Sequence, residues 1–467
     1  MSATATSPLT GSGRHELRLG DLVQFARRTL EGVGRESTAV ITLPAPIAPP
    51  ERLLRGAGEL GVLWDPPHGA GFAGIGRAAR IGLAGPERFN DLRRRASEVA
   101  DTLVSYVHPA VEEVPEPRFI GGFAFDVGSA NAEPWDEFGD GCFTLPRWSY
   151  VTGDTASLSL AVPGAQAADE AARERLLTQL QATLTDLDRE TGRSSRPAGV
   201  RAVEPPDIGQ WTAEVEAIRS VLKDGAFRKI VAARPSLVRL AGGLDAAAFL
   251  ARLSRGLRDS TRFAFCRERS TFLGATPERL IRLRGKRFET EALAGSIAAG
   301  DAQAELLLSS LKDRHEYELV VDSVVRRLQP LADELDVAPE PQIRELREVL
   351  HLHNPISGRL REAHHVLDLV ETLHPTPAVG GVPTEAAMRW IAEHEPAARG
   401  WYAAPVGWFD ARGDGEFWVA LRACLVREEV AHLYAGAGIV EDSDPELEYR
   451  EIELKKKVIL AALGATD

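Results

Sequence analysis

Three side chains able to do chemistry fall on one helical face near the end of the chain. Glu448, Glu451 and Lys455 stand at i, i+3 and i+7 of a segment that runs from Asp444-Pro-Glu to Leu-Lys455. The start of that helix is well marked: Asp444 can cap it, and Pro445 takes the first position, where a missing N–H costs nothing. Ser443 with Glu446 offers a competing capping box. Tyr434-Ala-Gly-Ala-Gly438 precedes it and reads as the end of a strand running into a glycine turn. Two carboxylates beside exposed glycine backbone can hold a hard divalent cation next to an anionic ligand. A solvated, salt-bridged helix accounts for the same residues, so the decision rests on what the rest of the chain can bring to them.

Glu316 is one such residue. Leu319, Val320, Val324 and Leu328 bury one side of its helix, and Glu316 lies at the edge of that stripe. A lone carboxylate is costly there, whereas a metal ligand is reasonable. With Glu448 and Glu451 it would form an oxygen-only site suited to Mg2+. Lys229 opens the apolar strand Lys229-Ile-Val-Ala-Ala-Arg234; it can point into a cleft as a base or lie along the strand edge with its amine in water. Glu278 follows Thr276-Pro277, a pair that fixes a turn and presents the next side chain with little freedom. It can serve as a general acid or pair with Arg279. Arg422 and Tyr402 could grip a carboxylate. Of the histidines His351, His353, His364, His365 and His374, His351 in an alternating strand is the candidate for orienting a substrate. Zinc is disfavoured, because no HExxH and no thiol partners accompany them.

Bulk properties limit what such residues can serve. The 467 residues allow two or three domains or one large layered unit. Lys and Arg number 55 against 68 Asp and Glu, a net charge of −13. With no basic block, nucleic acid and anionic membranes are poor partners. An anionic substrate therefore needs local cations or a metal. Cys142, Cys266 and Cys424 are odd in number and far apart, which suits buried thiols in a reducing cytoplasm. No apolar run reaches transmembrane length, and residues 1–14 read as disordered. No phosphate-binding glycine loop is present.

The elements that must position these residues alternate along the chain. The region 15–206 is set off by a helix over about Ala167–Leu187 and a polar linker beginning Thr191-Gly-Arg-Ser-Ser. The region 207–467 carries the chemistry. In it we expect helices at Thr212–Asp224, Asp245–Gly256, Ala363–Glu371 and Thr384–Glu393, and one long helix from about Ala302 to Gln329, stopped by Pro330. Strands are expected at Lys229–Arg234, Arg262–Arg267, Ser270–Gly274, Arg279–Leu283, Arg287–Glu291, Ile343–Leu352, Ala404–Asp410, Glu416–Arg422 and His432–Ala437. The many antiparallel neighbours predict an α+β fold, a layered sandwich of largely antiparallel sheets with outer helices.

Taken in order, these segments resemble the chorismate-utilising enzymes: the isochorismate, salicylate, anthranilate and aminodeoxychorismate synthases. The likeness runs from about Trp211 to Leu463. Gly121-Gly-Phe-Ala-Phe-Asp126 and Leu145-Pro146 are similar to that family's N-terminal half. The resemblance implies that Lys229 activates water for attack at C2 of chorismate and that Glu278 protonates the departing C4 hydroxyl. It implies Glu316 and Glu451 as Mg2+ ligands, with Glu448 beside them acting through water. Tyr402, Arg422 and the backbone around Gly436 and Gly438 would hold the enolpyruvyl carboxylate. His351 would be an active-site histidine, and Leu293-Ala-Gly295-Ser296 would line the ring. Aminodeoxychorismate synthases resemble a pattern with lysine where Ala294 stands, and salicylate synthases one with threonine where Ala378 stands. Leu373-His-Pro-Thr-Pro-Ala378 is similar to the isochorismate synthase form. The expectation is a cytoplasmic, Mg2+-dependent isochorismate synthase needing no obligatory protein partner, a monomer being sufficient. It would feed menaquinone or siderophore synthesis. A salicylate synthase, an anthranilate synthase large subunit and an inactive chorismate-binding homologue are the alternatives.

Overall fold

Short apolar runs pair across long sequence separations into two sheets. The computed structural model describes residues 18–55, 60–189, 197–257, 259–300, 303–346 and 349–465. The 1–14 segment and the linker residues 191–196 lie outside them. Among the described residues one sheet has thirteen strands and the other ten. Every pairing is antiparallel except that of Thr38–Pro44 with Leu103–Val107. The layered α+β architecture follows. Phe263, Phe265 and Phe272 of the first sheet share a core with Phe123, Phe143 and Phe417 of the second. Helices cover the outside: Ala246–Gly256 and Pro445–Leu463 bury Leu250, Leu253, Ile459 and Leu463 against Val238, Leu273 and Leu433 of the large sheet.

Both sheets cross position 206. Gly61–Asp65 pairs with Thr261–Cys266, placing Trp64 opposite Phe263. Arg118–Phe123 pairs with Pro405–Asp410, placing Ile120 opposite Trp408. Central strands buried on both faces need this continuity, because an apolar edge would otherwise be exposed.

Four local expectations change. The long helix is two, Gln303–Ser309 and Leu311–Leu328, because Ser310 turns out of the helix and its hydroxyl caps the second by accepting from Asp313 N. The run Ile343–Leu352 is two antiparallel strands, Gln342–Leu346 and Val349–Leu360, with residues 347–348 between them outside the described set. Arg287–Glu291 extends to Ala298, so Leu293–Ser296 belongs to the same strand; a bulge at Gly295, φ 69°, interrupts its register. The strand expected to end at Arg422 stops at Val419. Arg422 lies in the link to Ala423–Arg427 with φ 47°, a left-handed conformation that is rare for a residue with a Cβ.

Candidate active site

A cavity of about 590 Å³ opens between the two sheets and the helices Leu311–Leu328 and Pro445–Leu463. Thirteen candidate residues line it: Lys229, Glu278, Leu293, Gly295, Glu316, His351, Ala378, Tyr402, Arg422, Gly436, Gly438, Glu448 and Glu451.

Lys229 begins the strand Lys229–Leu240, which pairs with Val430–Ile439. Its side chain is 1% exposed and its Nζ donates to Glu316 Oε1 at 2.8 Å. The glycines of the partner strand explain how it fits. Gly436 and Gly438 are not in a turn; the strand runs on to Ile439, with Gly438 opposite Val231. A Cβ on Gly438 would stand 2.6 Å from Lys229 Cε and 2.7 Å from Glu316 Oε1. The glycine therefore makes the room in which the ion pair forms.

Glu278 sits where the chain crosses from one sheet to the other, between Ser270–Thr276 and Arg279–Arg284. Thr276 Oγ1 donates to Val419 O and the Glu278 carbonyl accepts from Val419 N at 3.0 Å, so the turn is held at both ends. Glu278 is 4% exposed. Burial first, then the charge of Glu291, push its carboxyl up to about 8, against the opposing pull of Lys229, Arg344 and Lys455. A carboxyl in that state carries its proton at neutral pH.

His351 is buried beside the Gly295 bulge. Its Nδ1 lies 3.1 Å from Gly295 O and 3.0 Å from Ser296 Oγ. A carbonyl can only accept, so Nδ1 carries the hydrogen and Nε2, which has no protein partner, is left as an acceptor. Burial, and then the cations Arg422 and Lys455, hold the ring well below the usual histidine range and so neutral. Tyr402 stacks on Tyr434 with ring centroids 5.2 Å apart. The other histidines do other work: His365 caps the helix Val366–Leu373, and His374 Nε2 meets Phe125 O at 3.0 Å.

Glu448 is 3% exposed, which excludes a solvated helix face for it. Its Oε1 accepts from Lys312 Nζ at 2.8 Å; Glu451 pairs with Lys455 at 2.6 Å, and Lys455 also reaches Gly436 O. Asp444 caps the helix through Glu446 N and Leu447 N, while Ser443 Oγ accepts from Val440 N instead of forming the capping box. Burial and the nearby Glu451 raise the Glu448 carboxyl. Burial also pushes Glu316 up, but Lys229, Lys312 and Lys455 outweigh it and hold the group below its usual range. Each carboxylate is thus neutralised by its own lysine. Among the described residues no three Asp, Glu, His or Cys side chains close tightly enough to hold a metal ion. The donor set itself, oxygen only and drawn from two helices onto one cavity, fits a hard cation once those ion pairs open.

Several participants gave no clear signal in the sequence. Lys312 and Asp313 line the cavity one turn before Glu316. Arg399, 2% exposed, donates to Val231 O at 2.8 Å and Val379 O at 2.7 Å and pairs with Glu395; it ties the strand of Lys229 to the loop of Ala378. The cavity wall carries six basic residues, Lys229, Lys312, Arg399, Arg422, Arg450 and Lys455, a local concentration of positive charge within an acidic protein.

A family model described as "Chorismate binding enzyme" matches residues 35–464. The chain belongs to that family. Chorismate, a dicarboxylate, is the substrate of the family. The salicylate biosynthesis isochorismate synthase of Pseudomonas aeruginosa is 38% identical over 419 residues, 86% of this chain and 84% of its own length. Isochorismate synthase MenF of Bacillus subtilis is 36% identical over 74% of this chain and 75% of its own. The structure of MenF, the menaquinone-specific isochorismate synthase from Escherichia coli, superposes with a TM-score of 0.77. It is 28% identical and covers 95% of this chain and 99% of that one. No helix among the described residues is long and apolar enough to cross a membrane.

Proposed function

We propose that this enzyme is an isochorismate synthase that adds water at C2 of chorismate and expels the C4 hydroxyl. The observation that carries the chemistry is the placement of Lys229 and Glu278 on one cavity, an amine and a proton-bearing carboxyl brought there by different elements. Once the Glu316 contact opens and the ammonium has released its extra proton to solvent, the Lys229 amine takes the proton of the attacking water, the two ring double bonds shift, and Glu278 gives its proton to the departing hydroxyl, which leaves as water. The reaction is a net isomerisation: one water enters and one leaves.

The remaining residues hold the substrate. Arg422 and Tyr402 grip the enolpyruvyl carboxylate, beside the Gly436 and Gly438 backbone. His351 Nε2 accepts from a substrate hydroxyl, and Leu293 and Gly295 lie along the ring. Glu316 and Glu451 would hold Mg2+, with Glu448 a water away; bound there, Mg2+ would neutralise the ring carboxylate. Ala294 and Ala378 put no lysine nucleophile and no threonine hydroxyl at those two positions of the cavity wall, which favours release of isochorismate over amination or pyruvate elimination.

Incubation of the purified protein with chorismate and Mg2+, followed by chromatography, tests this reading. Isochorismate as the product supports it. Salicylate, or anthranilate on adding ammonia, would replace it with one of those synthases, and untouched chorismate would mean a binding protein.

A further inference from the structure

Behind Glu278 lies a second carboxylate that does not line the cavity. Glu291, on the strand Arg287–Ala298, is 10% exposed at its side chain. Its Oε1 accepts from Arg279 N at 2.7 Å, the amide directly after Glu278. Its Oε2 accepts from Arg344 Nη1 at 2.8 Å and from His353 Nε2 at 3.0 Å. Three donors from three different strands therefore fix one negative charge against the peptide that presents Glu278.

We propose that Glu291 is a positioning residue for the proposed reaction: its fixed carboxylate keeps the Glu278 carboxyl loaded with the proton it delivers. This rests on Glu278 being the acid. Two buried carboxyls whose charges act on one another disfavour joint ionisation. The partners decide which one gives way. Glu291 has an arginine, a histidine and a backbone N–H, whereas no hydrogen bond to the Glu278 carboxyl is seen among the described residues. The two are driven apart accordingly: burial raises Glu291, but His353 and Arg344 bring it below the usual range, while Glu278 rises to about 8. The other charged or titratable groups facing Glu278 are Lys229 from the strand Lys229–Leu240, Arg344 from Gln342–Leu346, Lys455 from the C-terminal helix and Tyr402. All three cations favour ionisation of Glu278; burial opposes them first, and Glu291 is the charged group that adds to it. The Arg279 guanidinium is taken up by Glu289 and Glu416.

The test is the pH dependence of kcat/KM for wild type, Glu291→Gln and Glu291→Asp. Glutamine keeps an acceptor for Arg279 N–H but removes the charge. The alkaline limb should move down by about one pH unit in Glu291→Gln, roughly a tenfold loss at pH 8 with the low-pH plateau retained. Aspartate should restore the limb. Glutamine also strands Arg344 without its partner, so the same substitution is made in an Arg344→Gln background, where the limb should again move down relative to Arg344→Gln alone. A uniform loss at every pH, with the limb unmoved in both backgrounds, overturns the inference and leaves Glu291 a structural anchor. Glu278→Gln is measured alongside. If it keeps full activity and the limb, the acid assignment fails; if it is inactive while Glu291 leaves the limb unmoved, only the role of Glu291 fails.

Discussion

Lys229 Nζ and Glu316 Oε1 are 2.8 Å apart, one from the first residue of a buried strand and the other from a helix 87 positions along the chain. The contact joins the proposed base to a proposed metal ligand, and Gly438 provides its space. Gly438→Ala puts a methyl group onto the ends of two long side chains, which can shift, so the fold should survive at a cost of about 1–3 kcal/mol. The amine would be displaced by a fraction of its reach. We expect kcat to fall by about tenfold to a hundredfold with a modest drop in Tm, checked by steady-state kinetics and thermal melting.

Lys229→Gln should lower kcat by about 10²–10⁴, the usual contribution of a placed proton acceptor. It also leaves Glu316 buried without its closest cation, a cost of about 3 kcal/mol in stability. Circular dichroism separates the two effects: a native spectrum with no turnover supports the assignment, and a native spectrum with wild-type turnover removes it.

The Glu278 carboxyl gives a pH signature of defined sign. Its folded-state value of about 8 lies above the unfolded value of about 4.3. Its contribution to stability is full below the unfolded value and is lost as pH rises through about 8. As the acid it acts protonated, so the rate should decline above about pH 8. Glu278→Gln should be inactive yet melt higher than wild type around pH 8 to 9, because an amide is not forced to ionise in a buried place. A variant that melts lower across that window would contradict the assigned state of the carboxyl.

Mg2+ dependence should follow the carboxylates unequally. Glu316→Gln and Glu451→Gln should each raise the half-saturating Mg2+ concentration by about tenfold or more, and Glu448→Gln by less. Calorimetric titration of Mg2+ into each purified variant measures this independently of turnover. Equal effects at all three positions would place Glu448 in contact with the ion as well.

Much of this arrangement was legible in the sequence because local rules govern it. Asp444 and Pro445 mark their helix start, and Thr276-Pro277 fixes the turn that presents Glu278. The strand of Lys229 begins where expected. What local rules cannot see is what occupies the space across a sheet. Gly436 and Gly438 read as a turn because glycine disfavours strands, yet here both are strand residues, and Gly438 clears the space for Lys229 and Glu316. The break at Ser310 was hidden by helix-forming residues on both sides of its cap. Glu291, Arg344 and His353 form one network from three strands, and no spacing in the sequence predicts their meeting.

The central claim is that water, activated beside Lys229, supplies the new hydroxyl while the original one departs past Glu278. Turnover of unlabelled chorismate in oxygen-18-labelled water, followed by mass spectrometry of the product, tests it most directly. The account predicts isochorismate carrying one solvent-derived oxygen, at C2, formed at least about a hundredfold more slowly by Lys229→Gln. Unlabelled isochorismate formed at the wild-type rate would mean that the hydroxyl migrates within the substrate, and would contradict it.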